Sequence, residues 1–153
     1  MNRRALIALS AAECRKYIRA AKTIVLATNG KDGYPHAVAM WFVSDDEDRV
    51  WMTTYRKSQK AVNIRRDARV ALHVESGLTY DALRGVLIRG DAELLDDEET
   101  CLKTLVRIQE KMLGLLADDA KEVMRRQARK RIVIRVTPRR VSSWDHAKLG
   151  GTY

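Results

Sequence analysis

The chain predicts an α+β fold, mainly β, in which an antiparallel barrel carries a few peripheral helices. Three observations lead there. Six short apolar runs of strand length follow one another in mostly hairpin order. The segments between them are turns or isolated helices, without the strand–helix alternation of a doubly wound sheet. The 153 residues, 46% apolar and 32% charged, are enough for one domain with a real core. No internal repeat, low-complexity tract or linker composition divides the chain, so residues 1–153 read as one domain. No G-x-G-x-x-G occurs, which argues against a Rossmann nucleotide site.

Each element has its own signal. Ser10-Ala11-Ala12-Glu13 is a capping box and opens a helix to about Ala21. Thr23 to Thr28 is a β-type run, stopped by the hairpin signal Asn29-Gly30-Lys31-Asp32-Gly33. His36 to Val43 is the second strand, with His36, Val38, Met40 and Phe42 on one face and Ala37, Ala39, Trp41 and Val43 on the other. Both faces are mostly apolar, so one should fill the barrel and the other should be covered by a ligand or a second subunit. An acidic turn, Ser44 to Asp48, leads into a third strand over Arg49 to Thr54. A short helix from Ser58 precedes a strand over Arg69 to Val74, a loop over Glu75 to Asp81 and a long strand over Arg84 to Leu94. Asp97-Glu98-Glu99-Thr100 starts an acid-led helix with Leu102, Leu105, Val106, Met112, Leu113 and Leu116 at helical spacing. Asp118 to Lys130 forms a second, basic helical piece. Ile132 to Val136 is the sixth strand, ended by Pro138, with Val141 to Trp144 as a candidate extension.

Charge and cysteines narrow the partners. The 29 Lys+Arg against 20 Asp+Glu leave +9, which favours anionic partners. The basic run Arg125 to Arg131 contains no aromatic residue and is accompanied by no nucleic-acid motif, so it reads as a solvated face and no nucleic acid is expected. Cys14 and Cys101 are far apart, without C-x-x-C spacing, and read as free thiols of a cytoplasmic protein. His36, His73 and His146 have no metal-ligand spacing with them, so no metal is expected. No apolar run of membrane length or signal-peptide pattern is present, so no membrane partner is expected.

The most informative stretch is Thr53 to Ile64. An apolar strand runs into a basic loop, and Ser58 is placed to cap the helix that follows. Arg56, Lys57 and Lys60 bring three cations to free helical N–H groups, with hydroxyls on Thr53, Thr54 and Ser58. This is phosphate-cradle chemistry without the glycines of a P-loop. A solvated basic loop is the plainer alternative.

The order of these segments resembles a known family. Leu26-Ala27-Thr28 with Gly33-Tyr34-Pro35-His36, then Met52-Thr53-Thr54, then Ser58 to Asp67, then Val86 to Ala92 is similar to the pyridoxamine phosphate oxidase-like family of flavin and deazaflavin proteins. The end, Ser142 to Tyr153, resembles its coenzyme F(420)-dependent reductase branch. The resemblance implies a six-to-seven-stranded antiparallel split β-barrel (the FMN-binding split barrel) and a homodimer whose interface holds the cofactor. It implies that Val38, Met40 and Trp41 face the ring and that Thr53 and Thr54 lie on the neighbouring strand. Arg56, Lys57, Ser58 and Lys60 would hold the phosphate, and Trp144 and Lys148 would close over the ring, including from the partner.

The departures bear on function. True pyridoxamine phosphate oxidases carry Ser-Arg-Lys where this chain has Ser58-Gln59-Lys60, and an arginine where it has Val38. Their terminal arginine and histidine pattern is absent. Vitamin B6 oxidation is therefore not expected, since Arg and Lys are not equivalent at a phosphate site. The expectation is an F(420)-dependent oxidoreductase passing a hydride to a small electron-poor substrate, with no catalytic side chain because the cofactor carries the chemistry. The polyglutamate tail of F(420) gives the basic run a use. The alternatives are an FMN-dependent oxidoreductase and a non-enzymatic flavin- or tetrapyrrole-binding protein. His36 and His73 read as ordinary side chains, and Tyr80 and Arg84 as a surface loop with a substrate mouth as the alternative.

Overall fold

The computed structural model describes residues 3–150. Seven strands form one antiparallel sheet: β1 (Thr23–Asn29), β2 (Pro35–Trp41), β3 (Val43–Ser44), β4 (Val50–Tyr55), β5 (Arg69–Ser76), β6 (Arg84–Leu95) and β7 (Arg131–Asp145). Their order is β2-β1-β5-β6-β7-β4-β3. The two edge strands of that order, β2 and β3, are consecutive in the chain and separated by Phe42 alone. The sheet must therefore curl until its edges meet at Phe42, which is 1% exposed. Burying a side chain of this size contributes about 1.5–3 kcal/mol. β4 pairs with β3 and then runs back past this corner, so β2 and β4 diverge at the end where β2 begins. That divergence is the split of the barrel.

Helices fill the gap and cover the back. α3 (Gln59–Arg66) lies against β1 and β6, burying Ala61, Asn63 and Ile64. The barrel interior is built by alternate residues of every long strand, among them Leu26, Met52, Leu72, Ile88 and Ile134. α4 (Glu98–Leu113) and α5 (Asp118–Ala128) pack together behind β4 and β7, around Cys101, Leu105, Ala128 and Val133. α1 (Arg3–Leu6) precedes α2 (Ala11–Ala20), whose capping box is complete: Ser10 Oγ accepts from Glu13 N–H at 3.2 Å, and Glu13 Oε2 accepts from Ser10 N–H at 2.7 Å. No helix among the described residues is long and apolar enough to cross a membrane.

Two expectations are corrected. Pro138 does not end a strand: β7 continues to Asp145. Opposite Pro138 stands Gly90 and opposite Arg140 stands Arg89, leaving Arg139 as the extra residue of a bulge, where a residue without N–H costs no regular ladder bond. The predicted strand from His36 to Val43 is two strands, because the chain changes partner at Phe42 from β1 to β4. As an edge strand, β2 leaves His36, Val38 and Met40 half-buried and Ala37, Ala39 and Trp41 exposed.

Candidate functional site

The loop between β4 and α3 brings hydroxyls and cations together. Ser58 caps α3, its Oγ accepting from Ala61 N–H at 3.4 Å and from Thr54 Oγ1 at 3.0 Å. Lys60 Nζ donates to Thr54 Oγ1 at 3.3 Å. Arg131, the first residue of β7, is paired in register with Tyr55 and lies over its ring at 4.5 Å. Burial, and secondly the charge of Arg131, push the Lys60 ammonium below its ordinary pKa. Neither cation has a carboxylate partner among the described residues, and Arg131 Nε is buried without a hydrogen bond. Lys60 beside two hydroxyls and a helix N-terminus, with the Arg131 charge near enough to act on it, forms a cradle that an oxyanion would neutralise.

Not every predicted member joins. Strand alternation turns Thr53 away from Thr54, into register with the buried Val133. Arg56 is drawn to the α4 side instead: Nη2 pairs with Asp96 Oδ1 at 2.6 Å, Nε donates to the same oxygen, and Nη1 donates to the Arg129 carbonyl. Lys57 stays exposed at the loop tip. Thr54, Ser58 and Lys60 are thus brought together, and Arg131, predicted only as the end of a basic run, stands over Tyr55 near enough for its charge to act on Lys60.

Along the split, between α3 and the start of β2, runs a cleft of about 600 Å³ lined by Tyr34, His36, Gln59 and Asn63. That is ample for part of a cofactor-sized ligand. Its floor is fixed by a relay: Gln59 Nε2 donates to Asn63 Oδ1 at 2.8 Å, Asn63 Nδ2 to Thr28 Oγ1 at 3.0 Å, and Thr28 Oγ1 to the His36 carbonyl at 3.4 Å. Asn63 is fully buried. His36 Nδ1 is buried with no hydrogen bond. Val38 and Met40 share the His36 face of β2, and Met40 packs on the core. Trp41 points the other way and is 46% exposed. The sequence offered one signal for the relay: Gln59 and Asn63 are one helical turn apart.

A second basic hollow lies beyond Arg131, lined by Tyr55, Val123, Arg126, Gln127, Lys130 and Arg131, with a volume of about 260 Å³. Tyr55 and Arg131, paired at the end of β4 and the start of β7, form one side of it.

The C-terminal candidates are engaged within their own chain. Trp144 stacks on His73 with ring centroids 5.6 Å apart and planes at 26°. It occupies the space over Gly85, where a Cβ would come within 2.3 Å of the indole. Lys148 Nζ donates to the Ala8 carbonyl at 2.9 Å and to Glu13 Oε2 at 3.0 Å. The rest of the C-terminal motif, residues 151–153, lies outside the described residues, as does part of the loop predicted from Gly150 onward. Arg84 lies over the Tyr17 ring at 5.0 Å and faces Asp145 at 3.5 Å, and Tyr80 meets the edge of His146. Cys14 and Cys101 are buried free thiols, burial pushing the Cys101 thiol up to about 11. Among the described residues no cluster of three His, Cys, Asp or Glu could hold a metal.

Comparison with known proteins agrees with this fold. The family model described as pyridoxamine 5'-phosphate oxidase matches residues 10–145. No curated protein matches the chain. Among solved structures, the conserved hypothetical protein Rv2991 from Mycobacterium tuberculosis is 42% identical with a TM-score of 0.90, over 98% of this chain and 93% of that one. A structure described as an F420 reductase is 27% identical with a TM-score of 0.65, over 83% of this chain and 94% of that one. HutZ, the heme storage protein from Vibrio cholerae, is 16% identical with a TM-score of 0.65, over 87% of this chain and 94% of that one, a likeness of fold alone.

Proposed function

The chain belongs to the pyridoxamine 5'-phosphate oxidase family, a family of flavin-binding split barrels, and from that premise we propose that it is an F(420)-dependent oxidoreductase that reduces a small electron-poor organic substrate. One observation carries this reading. Lys60 has no carboxylate partner among the described residues and sits beside the Thr54 and Ser58 hydroxyls, and Arg131, whose charge acts on it, lines the neighbouring basic hollow with Arg126 and Lys130. A single terminal phosphate needs only the cradle. A ligand with a phosphodiester and a further acidic tail uses both. The 27% identical structure described as an F420 reductase supports the same choice.

The residues fit such a group. Thr54, Ser58 and Lys60, with the Arg131 charge nearby, would hold the phosphate, Arg126 and Lys130 would attract the tail, and the cleft beside the Gln59–Asn63 relay, at the end of the strand that carries Val38 and Met40, would take the ring. A bound deazaflavin supplies the hydride chemistry. The protein contributes position, a dry wall and a field that neutralises the phosphate; no side chain is assigned a proton transfer.

The exposed face of β2, with Ala37, Ala39 and Trp41, continues onto Val25 of β1, which is 36% exposed. Such an apolar surface on an edge strand favours a two-fold homodimer, each copy covering the other's outer face. Trp144 and Lys148 reach a partner's groove only if they leave His73 and Glu13, so their service to a partner is a conditional part of this reading.

Fluorescence titration with F(420) and FMN side by side tests the proposal. Tight binding of F(420) by protein purified colourless, with weak binding of FMN, is the expected result. Preference for FMN, with a flavin spectrum in the purified protein, transfers the same cradle to a flavin oxidoreductase. Binding of either cofactor without turnover across a panel of electron-poor acceptors would leave a carrier rather than an enzyme.

A further inference from the structure

Three cations from two helices converge on the shortest strand of the sheet. β3 is an edge strand paired with β4, and the carbonyls of Phe42 and Ser44, two residues apart, point to its open side. Lys111 Nζ donates to the Phe42 carbonyl at 3.2 Å and Arg107 Nη2 to the Ser44 carbonyl at 3.1 Å. From α2, Arg19 Nη2 donates to the Asp45 carbonyl at 3.3 Å and pairs with Asp46 Oδ1 at 3.0 Å. These contacts cover an open strand edge, yet they occupy few of the donors, since a guanidinium has five and an ammonium three. Arg107 and Lys111 have no carboxylate partner among the described residues. Four residues apart on α4, they are also neighbours of like charge, which destabilises a helix. Burial pushes the Lys111 ammonium down to about 8.

All three cations line one hollow of about 250 Å³, whose other walls are Val43, Ser44 and Glu110. Glu110 forms no ion pair among the described residues, and Asp46 is taken up by Arg19. Set against the three cations, these two acids leave the hollow an excess of one positive charge. That excess matches a single carboxylate, whereas a phosphate dianion would exceed it and meet Glu110. A zwitterion would bring no net charge to neutralise it. We propose that this hollow is a binding site for a small hydroxy-carboxylic acid, with its carboxylate held between Arg107 and Lys111 and its hydroxyl donating to Glu110. The planar guanidinium offers the carboxylate two parallel bonds, and the ammonium adds a compact charge. The site uses no residue of the Lys60 cradle, of the Arg126–Lys130 hollow or of the outer face of β2. It therefore stands or falls independently of the cofactor and of the dimer.

Calorimetric titration with lactate, propionate, alanine and inorganic phosphate, at constant ionic strength set by chloride, tests it. The first three probes differ only in the hydroxyl, hydrogen or ammonium at one carbon. The proteins are the wild type, Lys60→Ala, Arg107→Gln, Lys111→Met and Glu110→Ala, each checked for folding by thermal melting. Lactate should bind the wild type and Lys60→Ala alike, and bind Arg107→Gln and Lys111→Met at least tenfold more weakly. The other three probes should bind the wild type more weakly than lactate does. In Glu110→Ala the preference for lactate over propionate should vanish and phosphate should bind more tightly, changes that a merely structural role would not produce. Should Lys111→Met fail to fold, Arg107→Gln, at an exposed position, decides the point. Equal lactate binding by all five proteins, no lactate binding to the wild type, or a loss confined to Lys60→Ala each overturns the proposal. So does a wild type that binds propionate, alanine or phosphate as tightly as lactate.

Discussion

Lys148 Nζ and Glu13 Oε2 lie 3.0 Å apart, joining the last turn of the described chain to the first turn of α2. The same carboxylate accepts from Ser10 N–H, so one side chain closes the capping box and anchors the C-terminal turn. The Ser10 N–H first, and Lys148 second, hold the Glu13 carboxyl down from 4.5 to about 2. A carboxyl depressed in the folded state contributes stability that is full above the unfolded value and is lost as the pH falls through the folded one. The Glu13 contribution should therefore disappear between about pH 4.5 and 2. Glu13→Gln should flatten that part of a melting-temperature profile while leaving its shape above pH 5 unchanged; an identical acid limb in both proteins would refute the linkage.

Lys111 is expected to act in the opposite pH range. Its Nζ donates to the Phe42 carbonyl at 3.2 Å and sits 3.9 Å over the Phe42 ring, and burial lowers its pKa from 10.5 to about 8. Between those values the unfolded chain binds more protons than the folded one, so stability should rise with pH from about 8 to 10.5. Lys111→Met should remove that rise. Denaturant midpoints measured across the window would show it, and a rise of equal size in the variant would assign it elsewhere.

For the cradle, Lys60→Ala should weaken cofactor binding by about 1–3 kcal/mol, the loss expected for a charge-assisted hydrogen bond. Arg131→Ala should do likewise, whereas Arg56→Ala should cost less, because its guanidinium is held by Asp96. Unchanged affinity in both Lys60→Ala and Arg131→Ala would remove the phosphate assignment.

Salt should separate the two parts of the basic surface. F(420) affinity should fall with ionic strength, and fall less for a form with a shortened tail or for Arg126→Ala/Lys130→Ala. FMN should show the shallower slope throughout. Equal slopes for long-tailed and short-tailed forms would exclude a role for the α5 hollow.

The proposed dimer would rest on the outer face of β2. Trp41→Glu places a charge where an apolar side chain is 46% exposed, and it should convert a dimer into a monomer without lowering the melting temperature of the isolated chain. Light scattering across a dilution series decides this. A wild type that is monomeric throughout and binds cofactor at full strength would exclude a shared groove.

What the sequence revealed were the features written in adjacent residues. Ser10 with Glu13, Ser58 at its helix and the Asn29–Gly33 turn are local signals, and each is realised in the structure. The alternation in β4 is equally readable, and its period of two places Thr53 and Thr54 on opposite faces. Long-range competition was not legible. Arg56 finds Asp96 forty residues on, Lys148 finds Glu13 across nearly the whole chain, and the strand passes Pro138 because Gly90 on another strand allows the bulge. Arg131 read as surface charge because nothing local announces that β7 starts beside Tyr55.

The bulge at Pro138 also marks where β7 loses a neighbour. Its first half is hydrogen-bonded to both β6 and β4, but β4 pairs only as far as Val136. Beyond it the free side of β7 meets the segment before α2: Asp145 N–H donates to the Ile7 carbonyl at 2.8 Å, and Leu9 N–H to Ser143 Oγ at 3.0 Å. That short segment is a guard on an open strand edge, of the kind that otherwise templates sticking between molecules. Its detachment would therefore show first as self-association through strand addition, before any loss of the barrel itself.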